Sequence, residues 1–182
     1  MGAGWSRITP ALSDTARAAV FQAVEVARAA GVTVSVDVNY RAKLWSRFDA
    51  APVLRDLVSR ADIVFAGPDE AALFLGDDDP VAGLAGLGAT EVVVKDGARG
   101  CAAQIDGERY EVPALPATVV DPVGAGDAFV AGYLAERMAG RDAPTRLRTA
   151  IAVGAFAVTV PGDCENLPRR ADLATPADNV AR

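Results

Sequence analysis

A stretch of helical spacing, a glycine and then a run of β-branched residues recurs along this chain, and that order limits the fold more than any other feature. From Ser13, placed as an N-cap, "DTARAAVFQAVEVARAAG" sets Val20, Val24 and Ala27 on one helical face, and Gly31 closes the helix. "VTVSVDV" follows as a buried strand. The order repeats with a helix near residues 48–59, a strand over 62–65 and a helix near 69–75. Repeated helix-to-strand crossovers predict an α/β fold with a mostly parallel sheet and helices on both faces. Further on, "TEVVVKDGARGCAAQI" reads as strand, glycine-bearing turn and strand, and "ERYEV" as a short strand. "APTRLRTAIAVGAFAVTV" reads as a long apolar helix ending before Pro161. Residues 1–10 form an uncommitted start with weak strand character around Ile8, and the final "ADNVAR" reads as a disordered end.

Composition sets the outer bounds. With 182 residues, 51% of them hydrophobic, the chain is long enough for one domain with its own core, so residues 1–182 are expected to form a single domain. A net charge of −6 argues against a nucleic-acid or anionic-membrane surface. There is no histidine, so proton transfer falls to Asp, Glu, Lys, Tyr or Cys, and His-based metal sites are excluded. Cys101 and Cys164 lack metal spacing and read as reduced thiols, which suits the cytoplasm. No apolar run reaches about 18 residues, and the N-terminus lacks a signal-peptide pattern.

Chemistry concentrates in residues 120–134, "VDPVGAGDAFVAGYL". Asp121 and Pro122 end an extended segment, Gly124, Ala125 and Gly126 form a turn, and a helix follows with Asp127 in its first turn. Amides at a helix N-terminus lack intrahelical partners and the macrodipole favours an anion there. A carboxylate beside a phosphate cradle suits a base that takes a proton from an attacking hydroxyl. The plainer alternative stays open, since an Asp in a first turn is also an ordinary dipole partner. Phe129 stands where a dinucleotide fingerprint needs a small residue, and no Walker-type phosphate loop occurs.

Other candidates lie just past the strands, where ligands gather in parallel sheets. In "DVNYRAKLW", Asn39, Tyr40 and Arg41 follow Asp37; an Arg fork suits phosphate or carboxylate, and an Asx turn with a surface Arg is the alternative. Glu70 begins a helix, where a dipole partner is the simpler role. Lys95, Asp96, Gly97, Ala98, Arg99 and Gly100 could pass close to a ligand, although a plain hairpin also needs glycines. The run from Asp77 through Asp78 and Asp79 to Pro80 reads as a solvated turn capping a short helix and not as a cation site.

The pattern Asp121-x-x-Gly124-Ala125-Gly126-Asp127-x-Phe129 resembles the C-terminal signature of the PfkB, or ribokinase-like, carbohydrate kinases. "VDVNYRAKLW" and "AVTVPGDCENLPRRADL" are similar to stretches of the 2-keto-3-deoxygluconate kinases of that family, and the likeness runs from about Ile8 to Leu173. The resemblance implies a three-layer ribokinase-like fold truncated at the N-terminus, with ATP as donor, Mg2+, and a sugar or sugar acid as acceptor. It makes Asp127 the base, Gly124, Ala125 and Gly126 an anion hole, and Asn39, Tyr40, Arg41 and the six residues from Lys95 to Gly100 nucleotide-lining. It also sets Arg41 and Asp127 near the acceptor and Glu70 near Mg2+ through water. The family's Asn three residues before that Glu is Gly67 here, and the family's N-terminal strands, sugar-recognition motif and lid have no counterpart. Two alternatives follow from that departure: a non-catalytic nucleotide-binding remnant, or one half of a split kinase. A homodimer or a complementing N-terminal half is the corresponding partner.

Overall fold

A computed structural model describes residues 2–6, 9–76 and 79–174. Ile8, Asp77, Asp78 and the final "ADNVAR" lie outside the described residues. Among the described residues six strands form one sheet in sequence order: β1 (Gly2–Ser6), β2 (Thr33–Asp37), β3 (Ile63–Ala66), β4 (Glu91–Lys95), β5 (Cys101–Ile105) and β6 (Glu108–Val112). β1 to β4 run parallel, with Asp37 opposite Phe65 and Phe65 opposite Val93. The helices are α1 (Thr9–Leu12), α2 (Asp14–Ala29), α3 (Arg47–Val58), α4 (Pro68–Leu75), α5 (Pro80–Ala85), α6 (Ala125–Met138) and α7 (Ala143–Ala157). No helix among the described residues is long and apolar enough to cross a membrane.

The chain divides into two compact units, one of Met1–Lys95 with Ala102–Arg109 and the other of Asp96–Cys101 with Tyr110–Arg182. In the first, the Ser13 hydroxyl accepts the Ala16 amide and starts α2, the Ser46 hydroxyl accepts the Asp49 amide and starts α3, and Asp79 caps α5. Alternation along each strand sends Val34 and Val36 of β2, Val64 and Ala66 of β3, and Val92 and Val94 of β4 into one core. There they meet Val20, Val24 and Ala27 of α2 and Leu54, Leu57 and Val58 of α3. Each fully buried Leu or Val contributes about 1.5–3 kcal/mol. The other face of β3 carries Ile63 and Phe65, equally buried. A strand hidden on both faces belongs to a sheet covered on both.

Two short elements escape the sequence pattern. β1, "GAGWS", has no β-branched residue and takes strand form through its parallel pairing with β2, a tertiary effect that propensity does not carry. α1 is a single turn before the Ser13 cap. In the second unit, α6 and α7 cross closely where a side chain on Gly132 would meet Val153 Cγ2 at 3.0 Å and the Ala150 Cα at 3.1 Å.

Candidate functional site

The carboxyl ends of β2, β3 and β4 bring together Asn39, Tyr40, Arg41, Glu70 and Lys95 within the first unit. β2 ends at Asp37, which is 9% exposed, and the Val38 amide still donates to the Phe65 carbonyl at 2.8 Å. The chain then turns at Asn39, whose φ of 31° lies in the left-handed region. Asparagine tolerates that region better than most residues because its short polar side chain bonds locally, but the position still costs energy. The Tyr40 amide donates to Glu70 Oε1 at 2.8 Å, and its hydroxyl donates to the Trp45 carbonyl at 3.0 Å. Arg41 is exposed.

Glu70 stands in the first turn of α4, where its other oxygen, Oε2, accepts the Gly67 amide at 2.7 Å. The dipole role expected of it is present, and it also ties the 38–41 loop to the helix. Each oxygen that accepts one N–H keeps a second lone pair. Lys95 donates to both oxygens of Asp37, at 2.8 and 2.7 Å, and the two side chains are only 17% and 10% exposed. Composition and spacing gave no sign of this pair, because its members lie 58 residues apart and meet only through the strand order.

In the second unit, a 3-10 turn over Gly97–Arg99 follows Asp96. Arg99 folds back on Asp96 through Nε to Oδ2 at 2.6 Å and Nη2 to Oδ1 at 2.7 Å, so both side chains are occupied with each other. Gly97 and Ala98 are exposed. Gly100 is buried with φ of 100°, and a Cβ there would lie 2.7 Å from the Ala114 amide nitrogen, so only glycine fits.

α6 starts one residue after Gly124, which has φ of 76° and no room for a side chain, a Cβ there falling 2.7 Å from the Asp163 Cα. Ala125, Gly126 and Asp127 are therefore the first helical turn itself, not a turn ahead of it. Gly126 and Asp127 are exposed. Asp121 fixes the approach: its Oδ1 accepts the Val123 amide at 3.0 Å and its Oδ2 the Gly162 amide at 3.1 Å. Those two hydrogen bonds, Val123 first, hold the Asp121 carboxyl below the usual carboxylate range.

The stretch after α7 is tied down along its length. Asn166 donates to the Thr159 hydroxyl at 2.8 Å, and Arg170 Nη1 reaches Glu136 Oε1 of α6 at 2.8 Å. Glu136 is 4% exposed and also faces Arg141 at 3.9 Å. A Glu amid the helical "YLAERMAG" looks like a surface residue in sequence, so this anchor was missed. Both cysteines are free, and burial pushes the Cys101 thiol up to about 12.

Comparisons with known proteins bear on the family and the fold. Residues 4–170 match the pfkB family carbohydrate kinase. The chain is 39% identical over 163 residues to the 2-dehydro-3-deoxygalactonokinase of Haloferax volcanii, covering 87% of this chain and 51% of that protein. It is 33% identical to the 2-dehydro-3-deoxygluconokinase of Bacillus subtilis, covering 92% of this chain and 53% of that one. Among solved structures, an Escherichia coli protein described as a ribokinase II, in complex with ATP and Mg2+, superposes with a TM-score of 0.81 at 32% identity, over 90% of this chain and 54% of that one. A Vibrio cholerae fructokinase bound to fructose, ADP and calcium superposes with a TM-score of 0.83 at 26% identity, over 93% and 58%. The chain thus spans about half the length of these relatives. Its fold is ribokinase-like α/β, and the chain belongs to the pfkB family of carbohydrate kinases.

Proposed function

We propose that the chain carries the nucleotide-binding segments and the base of an ATP-dependent kinase acting in the cytoplasm on a sugar or sugar acid, most like 2-keto-3-deoxygluconate. The observation that supports it best is the first turn of α6, where the helix N-terminus and an exposed carboxylate, Asp127, share one place. In this reading Asp127 takes the proton of the acceptor hydroxyl as its oxygen bonds to the γ-phosphorus, the bond to the β-γ bridging oxygen breaks, and ADP leaves. The amides of Gly124 at the N-cap and of Ala125 and Gly126 in the first turn, with the helix dipole behind them, stabilise charge on the transferring group. Asn39, Tyr40, Arg41 and the segment from Lys95 to Gly100 line the nucleotide, and Arg41 also approaches the acceptor. Mg2+, when bound, neutralises phosphate charge, and Glu70 suits it through a water.

Calorimetry of ATP with Mg2+, followed by an assay of phosphoryl transfer to 2-keto-3-deoxygluconate, tests the reading. Absence of ATP binding by the folded chain overturns it. Coverage of about half of each relative favours a second reading, in which the chain binds nucleotide but turns over only with a complementing N-terminal half or a second copy. ATP binding without transfer selects that one.

A further inference from the structure

Asp37 has no part in the reading above, yet it is an enclosed charge at the carboxyl end of a strand. Its carboxylate, 10% exposed, accepts both hydrogen bonds of the Lys95 ammonium, and the pair spans the end of β3 from β2 to β4. A buried pair of this kind is about neutral for stability against an apolar pair of equal volume, so stability alone does not account for it. Its position does. Asp37 is two residues before Asn39, the residue held at φ of 31°. From the other side Glu70 accepts the Tyr40 amide, and Gly67 at the start of α4 holds Glu70 in place. The 38–41 loop is thus gripped at one end by a carboxylate bonded to β4 and at the other by a carboxylate bonded to α4. A costly backbone conformation persists only where its surroundings over-determine it.

We infer that Asp37 is a positioning residue for the loop carrying Asn39, Tyr40 and Arg41, acting through its pair with Lys95, and that the Lys95 charge is used inside the fold and not as a point-charge ligand of phosphate. Lys95 then belongs to the nucleotide-lining segment through its backbone. The inference rests on the kinase reading for the purpose of the loop, but not for the loop's dependence on the pair.

Hydrogen exchange by mass spectrometry on the whole chain reads that dependence without activity. The neutral double variant Asp37→Asn/Lys95→Gln, which leaves no orphaned charge, should speed exchange of amides in residues 38–45 by about tenfold, while the Val34–Val36 and Val64 amides stay protected. Lys95→Arg, which keeps the charge pair, should exchange like the wild type. ATP affinity of the double variant, measured alongside, should weaken in step with loop exchange. Wild-type exchange in residues 38–45 of the double variant would overturn the inference, and so would a loss of protection throughout its core, which would make the pair a general support. Unchanged loop exchange with lost ATP affinity would return Lys95 to direct phosphate contact. A wild-type chain that binds no ATP would sink the kinase reading alone, leaving the exchange result to be judged by itself.

Discussion

Asp37 and Asp127 are both carboxylates near the point where a regular element meets a loop, and the structure satisfies one and leaves the other exposed. At the strand ends of the first unit the charges are taken up: Asp37 by Lys95, and Glu70 by two backbone amides. On the first turn of α6 the carboxylate is left exposed, and among the described residues Asp127 has no bonding partner. A carboxylate satisfied on both oxygens builds geometry, because removing it orphans its partners. One left open at a helix N-terminus can accept a proton, the role proposed for Asp127. Within the second unit Asp121 and Asp127 repeat the contrast six residues apart, the first fixing the approach to the turn and the second facing outward.

Removing each kind of group breaks the comparison in a different observable. Asp127→Asn should lower phosphoryl transfer by about 10²–10⁴-fold and leave ATP affinity unchanged or slightly improved, since a base and a negative charge near phosphate are lost together. Retention of more than about a tenth of wild-type activity, in the chain or in a chimera with a relative's N-terminal half, would remove Asp127 from the role of base. Lys95→Met should do the reverse and act on the fold. It leaves the Asp37 carboxylate buried without its cation, and a denaturant series should show a loss of about 3 kcal/mol. A midpoint like that of the wild type would mean that water or another group replaces Lys95.

How far the sequence foretold this division depended on how local each signal was. The Ser13 and Asp79 caps and the Val20, Val24 and Ala27 stripe are set within a few residues, and the structure has them where the pattern put them, while α6 begins at Ala125, within the expected glycine turn. The location of Asn39, Arg41, Glu70 and Lys95 at one end of the sheet also followed, because parallel strands share a carboxyl edge. What stayed hidden needed distant chain brought together. Nothing near Asp37 announces a lysine 58 residues on, and nothing in "YLAERMAG" tells that Glu136 is buried against Arg170. β1 was invisible for the same reason, its strand form coming from β2 and not from its own residues.

The turn itself can be sharpened by a smaller change. Gly126→Val adds a β-branched side chain on an exposed position of the first turn of α6, where close approach to phosphate is proposed. ATP affinity should fall by about tenfold, roughly 1.4 kcal/mol, with the circular dichroism spectrum preserved. Equal affinity would make the turn an element of structure only and would erase its contrast with the strand ends.

The smallest effect is expected from the satisfied carboxylate of the second unit, and pH isolates it. The amides of Val123 and Gly162 lower the pKa of Asp121 in the folded chain, so the folded state binds this proton less readily than the unfolded one. Its stabilisation is therefore full above the ordinary carboxylate value, about 3.9, and is lost as pH falls through the depressed folded value. Asp121→Asn keeps one acceptor but presents an NH2 group to the second amide donor. Its melting temperature should lie a little below that of the wild type at pH 7, and the two should converge as pH falls through the depressed folded value. Exposure of the group and screening by salt keep the difference small, and raising ionic strength should leave most of it, because the partners are amides and not ions. A gap that stays constant down to pH 2.5 would assign the loss to the altered shape of the side chain, and Asp121 would then hold the turn by geometry without its charge.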